Sequence, residues 1–188
     1  MIEVFQAAAE LQNLCLREKW KFCFIGGLAL QRWGEPRFTK DADLTLYTGF
    51  GDEERYIEVL LRHFPSRISD AAEFALHNRV LLLKSGKGVG IDIALGGLAF
   101  DATVVERASY FLFPPDLNLL TCSAEDLVVM KSFAERGQDW VDVERILVRQ
   151  AGKLDWNYIF QQLKPLVELK EVPEILKRLE KLRTESET

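Results

Sequence analysis

The amino-acid sequence predicts an α+β fold, and three observations lead to that prediction. Strand-like and helix-like segments alternate as far as residue 113. The diproline Pro114-Pro115 then interrupts the pattern, and only helical periodicity follows it. Strands mixed with helices, and then helices alone, are typical of α+β proteins. We therefore predict a first domain over residues 1–118 and a helical C-terminal domain over residues 119–188.

The elements of the first domain follow from the spacing of its apolar residues. Recurrence at every third or fourth position predicts helices, whereas short apolar or alternating runs predict strands. The predicted helices cover residues 2–18, 28–33 and 52–64, and the predicted strands cover residues 21–25, 41–47, 80–83, 89–94 and 104–113. Ser85-Gly86-Lys87-Gly88 should join two of these strands as a hairpin turn.

Four helices are predicted after the diproline. Ser123 stands three residues before Asp126, a spacing typical of a helix cap, so the first helix should begin there and break at Gly137. Asp139 and Asp142 are expected to cap the second helix, with a role as acids of a substrate site as the alternative. The last two helices are predicted over residues 156–166 and 172–182.

The composition limits the kind of protein this is. The chain has 188 residues, of which 48% are hydrophobic, so it can bury one good core. Its net charge of −5 argues against a protein that coats nucleic acid through bulk positive charge. No apolar run approaches the ~20 residues that cross a bilayer, and no signal peptide is recognisable at the N-terminus. We expect a cytoplasmic protein without membrane association.

The cysteines and histidines limit the metal chemistry. The three cysteines lie far apart without a CxxC spacing, which is typical of reduced thiols in a cytoplasmic protein. With only two histidines in the chain, a zinc site is disfavoured. Any bound metal should therefore be a hard cation held by oxygen atoms.

Two aspartates on one predicted strand form the first candidate site. In residues 41–47, Asp41, Asp43 and Thr45 point to one face and apolar residues alternate with them on the other. Two like charges so close raise each other's pKa unless a cation compensates them. Mg²⁺ fits best, because it accepts a few carboxylates and completes its shell with phosphate oxygens and water. The alternative interpretation is a surface strand that carries two solvated aspartates.

Gly26-Gly27 forms the second candidate site. The pair lies where a predicted strand ends and a predicted helix begins. Glycine lets the backbone approach a ligand closely, and the exposed N–H groups of a helix start attract phosphate. Alone, a glycine pair before a helix is only a weak signal for such a site. Next to a strand that carries two aspartates, it favours a site for a metal-bound nucleotide.

These two sites together resemble a known signature. The stretches Phe24–Ala29 and Gly34–Leu44 are similar to the motif of the DNA polymerase beta-type nucleotidyltransferase superfamily, in which a glycine pair or Gly-Ser precedes a DxD strand. More narrowly, the chain resembles the abortive-infection nucleotidyltransferase toxin family and its relatives. The likeness covers residues 22–46 and 120–147. It implies a small mixed sheet flanked by helices, followed by a C-terminal helical bundle.

The resemblance also implies the roles of individual residues. A third carboxylate from a later strand completes the site, and Asp92 is the best candidate, with Asp101 as its competitor. Asp41, Asp43 and Asp92 would be the catalytic residues and would hold Mg²⁺, or Mn²⁺ in its place. The predicted nucleotide contacts are Gly26, Gly27, Arg37, Thr39 and Lys131.

The implied activity is transfer of a nucleoside monophosphate from a nucleoside triphosphate such as ATP to an acceptor hydroxyl. A tRNA 3′ end, another RNA or a protein is the implied acceptor, with a small molecule as the alternative, and a cognate antitoxin is the implied partner. This chain departs from better-known enzymes in having Gly27 where they have serine. The competing interpretation is therefore a catalytically degenerate module of the same fold that binds a nucleotide or a partner.

Overall fold

The computed structural model describes residues 1–186, which divide into two compact units. The first unit contains Met1–Leu28 and Phe38–Cys122, and the second contains Ala29–Arg37 and the chain from Ser123 onward. The domain boundary predicted at residues 118 and 119 lies inside a strand of the first unit, Leu117–Thr121. The short segment Ala29–Arg37 belongs to the second unit, although in sequence it precedes residues 41–47, the predicted strand that carries Asp41 and Asp43.

The first unit contains a six-stranded mixed sheet. Its strands are β1 (Phe22–Phe24), β2 (Asp41–Tyr47), β3 (Val80–Lys84), β4 (Gly90–Gly96), β5 (Ser109–Phe113) and β6 (Leu117–Thr121). The strand order is β3-β4-β2-β1-β6-β5. β2 pairs in parallel with β4 and antiparallel with β1, while β3 and β4 form the predicted antiparallel hairpin. The predicted α+β class with a mixed sheet is confirmed.

Four helices belong wholly to the first unit, and a fifth begins in it. The four are α1 (Ile2–Arg17), α3 (Glu53–His63), α4 (Ala71–Asn78) and α5 (Ala99–Arg107). The fifth, α2 (Gly26–Trp33), begins in the first unit and continues into the second. α1 contacts β2 and β6, and α5 contacts β1 and β2. The apolar face of β2 is fully buried in a core that it shares with α1, so this strand is held firmly in place.

The second unit consists mainly of the four predicted C-terminal helices, α6 (Ala124–Ala134), α7 (Gly137–Arg149), α8 (Trp156–Lys170) and α9 (Glu174–Ser186). The predicted cap of α6 is confirmed, because the Ser123 hydroxyl accepts a hydrogen bond from the Asp126 amide at 3.1 Å. α6 contacts α7, α8 and α9, and Trp140 lies fully buried in this unit. None of the helices in residues 1–186 combines the length and the apolar character that a membrane span requires.

Several local predictions were wrong or incomplete. Residues 104–107 belong to α5 and are not extended; only Ser109–Phe113 forms the predicted strand. Gly137 begins α7, whereas α6 ends at Ala134. Arg136 is the N-cap residue of α7, so Asp139 and Asp142 lie inside that helix and do not cap it. The sequence patterns also failed to predict α4 and β6.

Candidate active site

Three carboxylates share one face of the sheet in the first unit. In the parallel pair of β2 and β4, Asp43 lies directly opposite Asp92 and Asp41 lies opposite Gly90. Residues opposite each other on neighbouring strands are about 4.8 Å apart and point to the same face, as do residues two positions apart on one strand. The structure thus brings together the Asp41, Asp43 and Asp92 backbones that the sequence analysis had linked.

The glycine pair lies against the Asp43 carboxylate. Gly26 has a φ of +55°, a left-handed conformation that glycine adopts at little cost, and a Cβ atom there would lie 2.7 Å from Asp43 Cγ. The Gly27 amide donates a hydrogen bond to Asp43 Oδ2 at 3.3 Å. The Ile25 amide is hydrogen-bonded to the Asp43 carbonyl at 3.0 Å, which ties the end of β1 to β2. Gly26 is therefore required by its close approach to this strand.

Thr39 lies beside the same turn. A Cβ atom added at Gly27 would lie 2.5 Å from Thr39 Oγ1 and 2.7 Å from Thr39 Cβ. The Thr39 hydroxyl donates to the Asp41 carbonyl at 3.2 Å, which fixes its position just before β2. The predicted nucleotide contacts of the first unit, Gly26, Gly27 and Thr39, are thus neighbours in space.

The other two carboxylates of the face contact Arg67, which the sequence analysis missed. One guanidinium nitrogen of Arg67 is hydrogen-bonded to Asp92 Oδ1, and the other lies 3.9 Å from Asp41 Oδ1. No sequence signal identified Arg67, because it stands in an irregular segment between two helices. Its contact with the site depends wholly on tertiary structure.

Burial and neighbouring charges shift the acidity of Asp92. Burial raises the pKa of Asp92 above its ordinary value; the Arg67 guanidinium opposes this rise, and the charge of Asp41 adds to it. A carboxylate disfavoured by burial and by a like charge gains from a further cation. Since all three acids offer oxygen atoms, the donor set fits Mg²⁺ or Mn²⁺.

The side chains of the three acids do not converge as a finished metal site. Within residues 1–186, no group of three or more acidic, histidine or cysteine side chains is close enough to hold a metal ion. The reason is visible in the hydrogen bonds and the ion pair that these side chains form. Asp43 turns toward Gly27, whereas Asp41 and Asp92 turn toward Arg67. The backbone register supports a three-carboxylate site, and rotation of the side chains would have to complete it.

The alternative third acid, Asp101, has a different place. It stands in the first turn of α5, and its Oδ2 atom accepts hydrogen bonds from the Gly97 and Leu98 amides, both at 2.9 Å. The bond from Leu98 satisfies the amide of the N-cap residue of α5, and the bond from Gly97 ties the preceding residue to the same turn. Asp101 therefore caps a helix, whereas Asp92 lies across from Asp43.

The remaining predicted nucleotide contacts, Arg37 and Lys131, belong to the second unit. Lys131 is buried, and its Nζ atom contacts Asp142 Oδ2 at 2.7 Å and Asp139 Oδ1 at 3.0 Å. Arg37 binds the same Asp142 through two parallel hydrogen bonds, from Nε at 3.0 Å and from Nη2 at 2.9 Å. Gln138 donates to Asp142 as well, at 3.0 Å.

Asp142 is the centre of this network and is fully buried. Burial alone would raise the pKa of Asp142, but the hydrogen bonds from Arg37, Lys131 and Gln138 outweigh it, so the pKa lies below its ordinary value. The carboxylate is therefore held in its charged form. The helical motif around residues 120–147 was the one sequence signal for this network, and it did not identify Asp142 as the centre.

Three solved structures to which this chain is similar are described as nucleotidyltransferases, adenylyltransferases or nucleotidyltransferase-like proteins. An antigenic nucleotidyltransferase-like protein from Paracoccidioides brasiliensis aligns with a TM-score of 0.55 and 16% identity, over 94% of this chain and 93% of its own. The lincosamide antibiotic adenylyltransferase LnuA aligns at 0.48 and 15% identity, over 72% of this chain and 91% of its own. ANT(2″)-Ia, in complex with adenylyl-2″-tobramycin, aligns with a TM-score of 0.49 and 15% identity, over 99% of this chain and 97% of its own. At 16% identity the likeness to the Paracoccidioides brasiliensis protein concerns the fold alone.

Comparison of the sequence with known families is more direct. No curated protein matches the chain significantly. Residues 16–168 match the family described as nucleotidyl transferase AbiEii toxin, type IV toxin–antitoxin system. The match includes β1, the glycine turn, β2, β4 and most of the helical unit. Because it covers well over half of the sequence, the chain belongs to the AbiEii family of nucleotidyltransferase toxins.

Proposed function

We propose that this protein transfers a nucleoside monophosphate from a nucleoside triphosphate to an acceptor hydroxyl, with Mg²⁺ held by Asp41, Asp43 and Asp92. Family membership supports nucleotidyl transfer, and one observation supports these particular residues. Asp43 and Asp92 lie directly opposite each other on parallel strands, and Asp41 lies on the same face. Mn²⁺ has the same preference for oxygen and would serve in place of Mg²⁺.

The three aspartates would hold the metal ion, and Asp92 would also act on the acceptor hydroxyl. Bound Mg²⁺ would offset phosphate charge and stabilise the transition state of an in-line displacement. Asp92 is the candidate for the general base, because it is the third carboxylate of this face and lies on the neighbouring strand, opposite Asp43. A carboxylate oxygen of Asp92 would take the proton of the acceptor hydroxyl while the oxygen of that hydroxyl attacks the α-phosphate. The bond between the α-phosphorus and the oxygen that bridges to the β-phosphate breaks, pyrophosphate leaves, and a phosphodiester joins the nucleoside to the acceptor.

The glycine turn would hold the triphosphate. The Gly27 amide lies at the start of α2, where backbone N–H groups favour an anion. The Thr39 hydroxyl lies next to residue 27, in the space that a side chain at that position would need. We therefore expect Thr39 to supply the hydroxyl contact that a serine at position 27 supplies in better-known relatives. Gly26 would let the backbone approach the phosphates.

Nucleotide binding by Arg37 and Lys131 stays a prediction. Among the described residues, Lys131 uses two of its three N–H donors on Asp139 and Asp142, which leaves one for a ligand. Replacing Lys131 with methionine therefore tests two roles at once. A nucleotide contact predicts weaker nucleotide binding in a folded variant, whereas a purely structural role predicts lower stability with unchanged affinity.

The proposed acceptor is an RNA hydroxyl, such as a tRNA 3′ end, or a protein hydroxyl. The toxin family supports a macromolecular target, and the net charge of −5 favours a small contact over a broad RNA-binding surface. A cognate antitoxin is the proposed partner in the cell. Antibiotic modification belongs to LnuA, a similar structure, and the low identity gives no ground to extend it to this chain.

Radiolabelled nucleotides provide the test. The purified protein is incubated with Mg²⁺, total RNA and each α-³²P nucleoside triphosphate, and label is followed on RNA and on protein. The Asp43→Asn variant should lose transfer while keeping its fold, because asparagine can still accept the hydrogen bond from Gly27. Asp116→Asn is the matched control, since Asp116 is exposed and lies in a turn outside the site.

The outcomes separate the candidates. Label on RNA that is lost in Asp43→Asn but kept in Asp116→Asn supports the proposal, and label on the protein identifies self-modification. Equal turnover in wild type and Asp43→Asn rules out the assigned metal site. Tight nucleotide binding without any transfer would favour a degenerate module, the alternative that Gly27 suggests.

A further inference from the structure

The backbone of Arg67 is fixed at the edge of the sheet. Ser66 forms an isolated antiparallel bridge with Leu83, and the Arg67 amide donates to the Leu82 carbonyl at 3.0 Å. Leu82 in turn lies opposite Asp92 on β4. Arg67, Leu82, Asp92 and Asp43 therefore form one row across the sheet. Two strand spacings of about 4.8 Å separate the Arg67 backbone from Asp92, a distance that an extended arginine side chain spans.

The guanidinium group ends between two of the three carboxylates. It is hydrogen-bonded to Asp92 and lies 3.9 Å from Asp41. The absence of a side chain at Gly90 leaves room for it: a Cβ atom there would lie 3.0 Å from Asp41 Cγ and 3.1 Å from Arg67 Nη1. The Arg67 side chain is 31% exposed, so water lies on one side and the carboxylates on the other.

We propose that Arg67 acts as a counter-ion of the carboxylate site. Its guanidinium group contacts Asp41 and Asp92 in the metal-free protein and moves away when a divalent cation binds these two aspartates. This inference rests on the proposed function, because it takes these aspartates as the metal site. Arginine offers a fork of N–H donors to carboxylates, and it cannot lose its charge by deprotonation. It therefore offsets the repulsion between the two acids as long as no metal is present.

Two features make the exchange feasible. The contact is a partly exposed ion pair, and such pairs hold their geometry weakly. The arginine side chain is long, and only its backbone is tied to β3, so the guanidinium can move away without disturbing the strand. Metal and Arg67 then compete for the same oxygen atoms. Removal of Arg67 should therefore make metal binding tighter, because the metal no longer has to displace it. The same removal should destabilise the metal-free protein, which loses a favourable contact.

A thermodynamic cycle with Mn²⁺ tests the exchange. Mn²⁺ binding to the full chain without nucleotide is measured by calorimetry and by electron paramagnetic resonance, and thermal unfolding is followed with and without Mn²⁺. Arg67→Met should bind Mn²⁺ about tenfold more tightly than wild type. Its melting temperature should be lower than that of wild type without Mn²⁺ but close to it at saturating Mn²⁺, because wild-type Arg67 has then left the carboxylates.

Lys84→Met is the matched control. Lys84 lies on the same face of the sheet, opposite Gly90, and is exposed; the described part of the chain shows no ion pair for it. Loss of one positive charge at that position should change Mn²⁺ affinity by less than about threefold, since exposed charges are well screened. A difference between the two variants therefore isolates the direct contact from the loss of charge.

Each result has a distinct meaning. Two results together support the exchange. Of the two variants, only Arg67→Met binds Mn²⁺ more tightly than wild type, and its melting temperature differs less from that of wild type at saturating Mn²⁺ than without Mn²⁺. Equal Mn²⁺ affinity in wild type, Arg67→Met and Lys84→Met overturns it while leaving the metal site intact. A stability loss of the same size with and without Mn²⁺ also overturns it, because Arg67 would then keep its contact in the loaded protein. Mn²⁺ binding in none of the three proteins would refute both this inference and the proposed metal site.

Discussion

Gly27 and Thr39 lie so close that a Cβ atom at residue 27 would come within 2.5 Å of the Thr39 hydroxyl. Thr39 is also buried and hydrogen-bonded to the Asp41 carbonyl, so it cannot simply turn away. A serine at position 27 and a threonine at position 39 therefore exclude each other in this backbone. The glycine that departs from better-known relatives thus has a structural reason, and the chain still has a hydroxyl group at the turn.

A pair of substitutions should reveal this exclusion. Gly27→Ser alone is expected to cost about 1–3 kcal/mol of stability, as overpacking does elsewhere. Adding Thr39→Ala removes the side-chain atoms that collide, so the double variant should recover most of that stability and should bind the nucleotide about as well as wild type. Thermal unfolding and nucleotide titration of the two single variants and the double variant measure both effects. Additive losses in the double variant would contradict the steric explanation.

Asp92→Asn should separate activity from stability. Because the folded-state pKa of Asp92 is raised, the protein is destabilised at neutral pH by holding this group charged. The asparagine variant should therefore melt at a higher temperature than wild type at pH 7. The difference should shrink as the pH falls through the raised pKa, since the wild-type carboxyl then becomes neutral as well. Transfer should fall about 100-fold or more if Asp92 is the general base.

A contrary result for Asp92→Asn is easy to recognise. A melting temperature below that of wild type at pH 7 would mean that the ion pair with Arg67 outweighs burial. Unchanged transfer would remove Asp92 from the catalytic residues and leave Asp41 and Asp43 as the candidate acids.

Asp142→Asn should act in the opposite direction on stability. Its carboxylate is fully buried and forms ion pairs with Lys131 and Arg37, and removal of one member of a buried ion pair typically costs about 3–5 kcal/mol. Since the folded-state pKa is lowered, the stabilisation is present above the ordinary aspartate pKa and is lost as the pH falls through the folded value. Urea unfolding at pH 7 and below pH about 3.9 checks this. A loss of the same size at both pH values would contradict it.

The cysteines offer a test of the core. Cys15, Cys23 and Cys122 form no disulfide and are fully buried, and burial raises the pKa of the Cys15 thiol to about 12. Reaction with a thiol reagent needs the thiolate and access to it. At pH 8 the native protein should therefore react slowly, whereas the protein in denaturant should release the signal of three thiols. Rapid reaction of the native protein would indicate that this core opens.

The sequence by itself determined the features that depend on local periodicity and local chemistry. β2 begins and ends at Asp41 and Tyr47 as predicted, because strict alternation is typical of strands that are buried on one face. The Ser123 cap needs only a hydroxyl and an amide three residues away, and it was predicted for that reason.

Local signals failed where tertiary contacts outweighed them. The β-branched run around Val104 favours a strand, but Asp101 caps the start of α5 and Val104 is buried in the fold, so these residues form a helix. Asp142 was predicted to cap a helix because aspartate commonly does so. In the structure Lys131 and Arg37 bind it inside α7 instead, and a buried lysine needs such a partner.

The tertiary structure decided how the candidate site is composed. Sequence spacing shows that Asp41 and Asp43 share a face, but only the parallel register of β2 and β4 brings Asp92 opposite Asp43. Arg67 reaches the same carboxylates because its segment pairs with β3, a contact between residues that are distant in sequence. Periodicity describes one element at a time, whereas the register between elements depends on how the whole sheet buries its core.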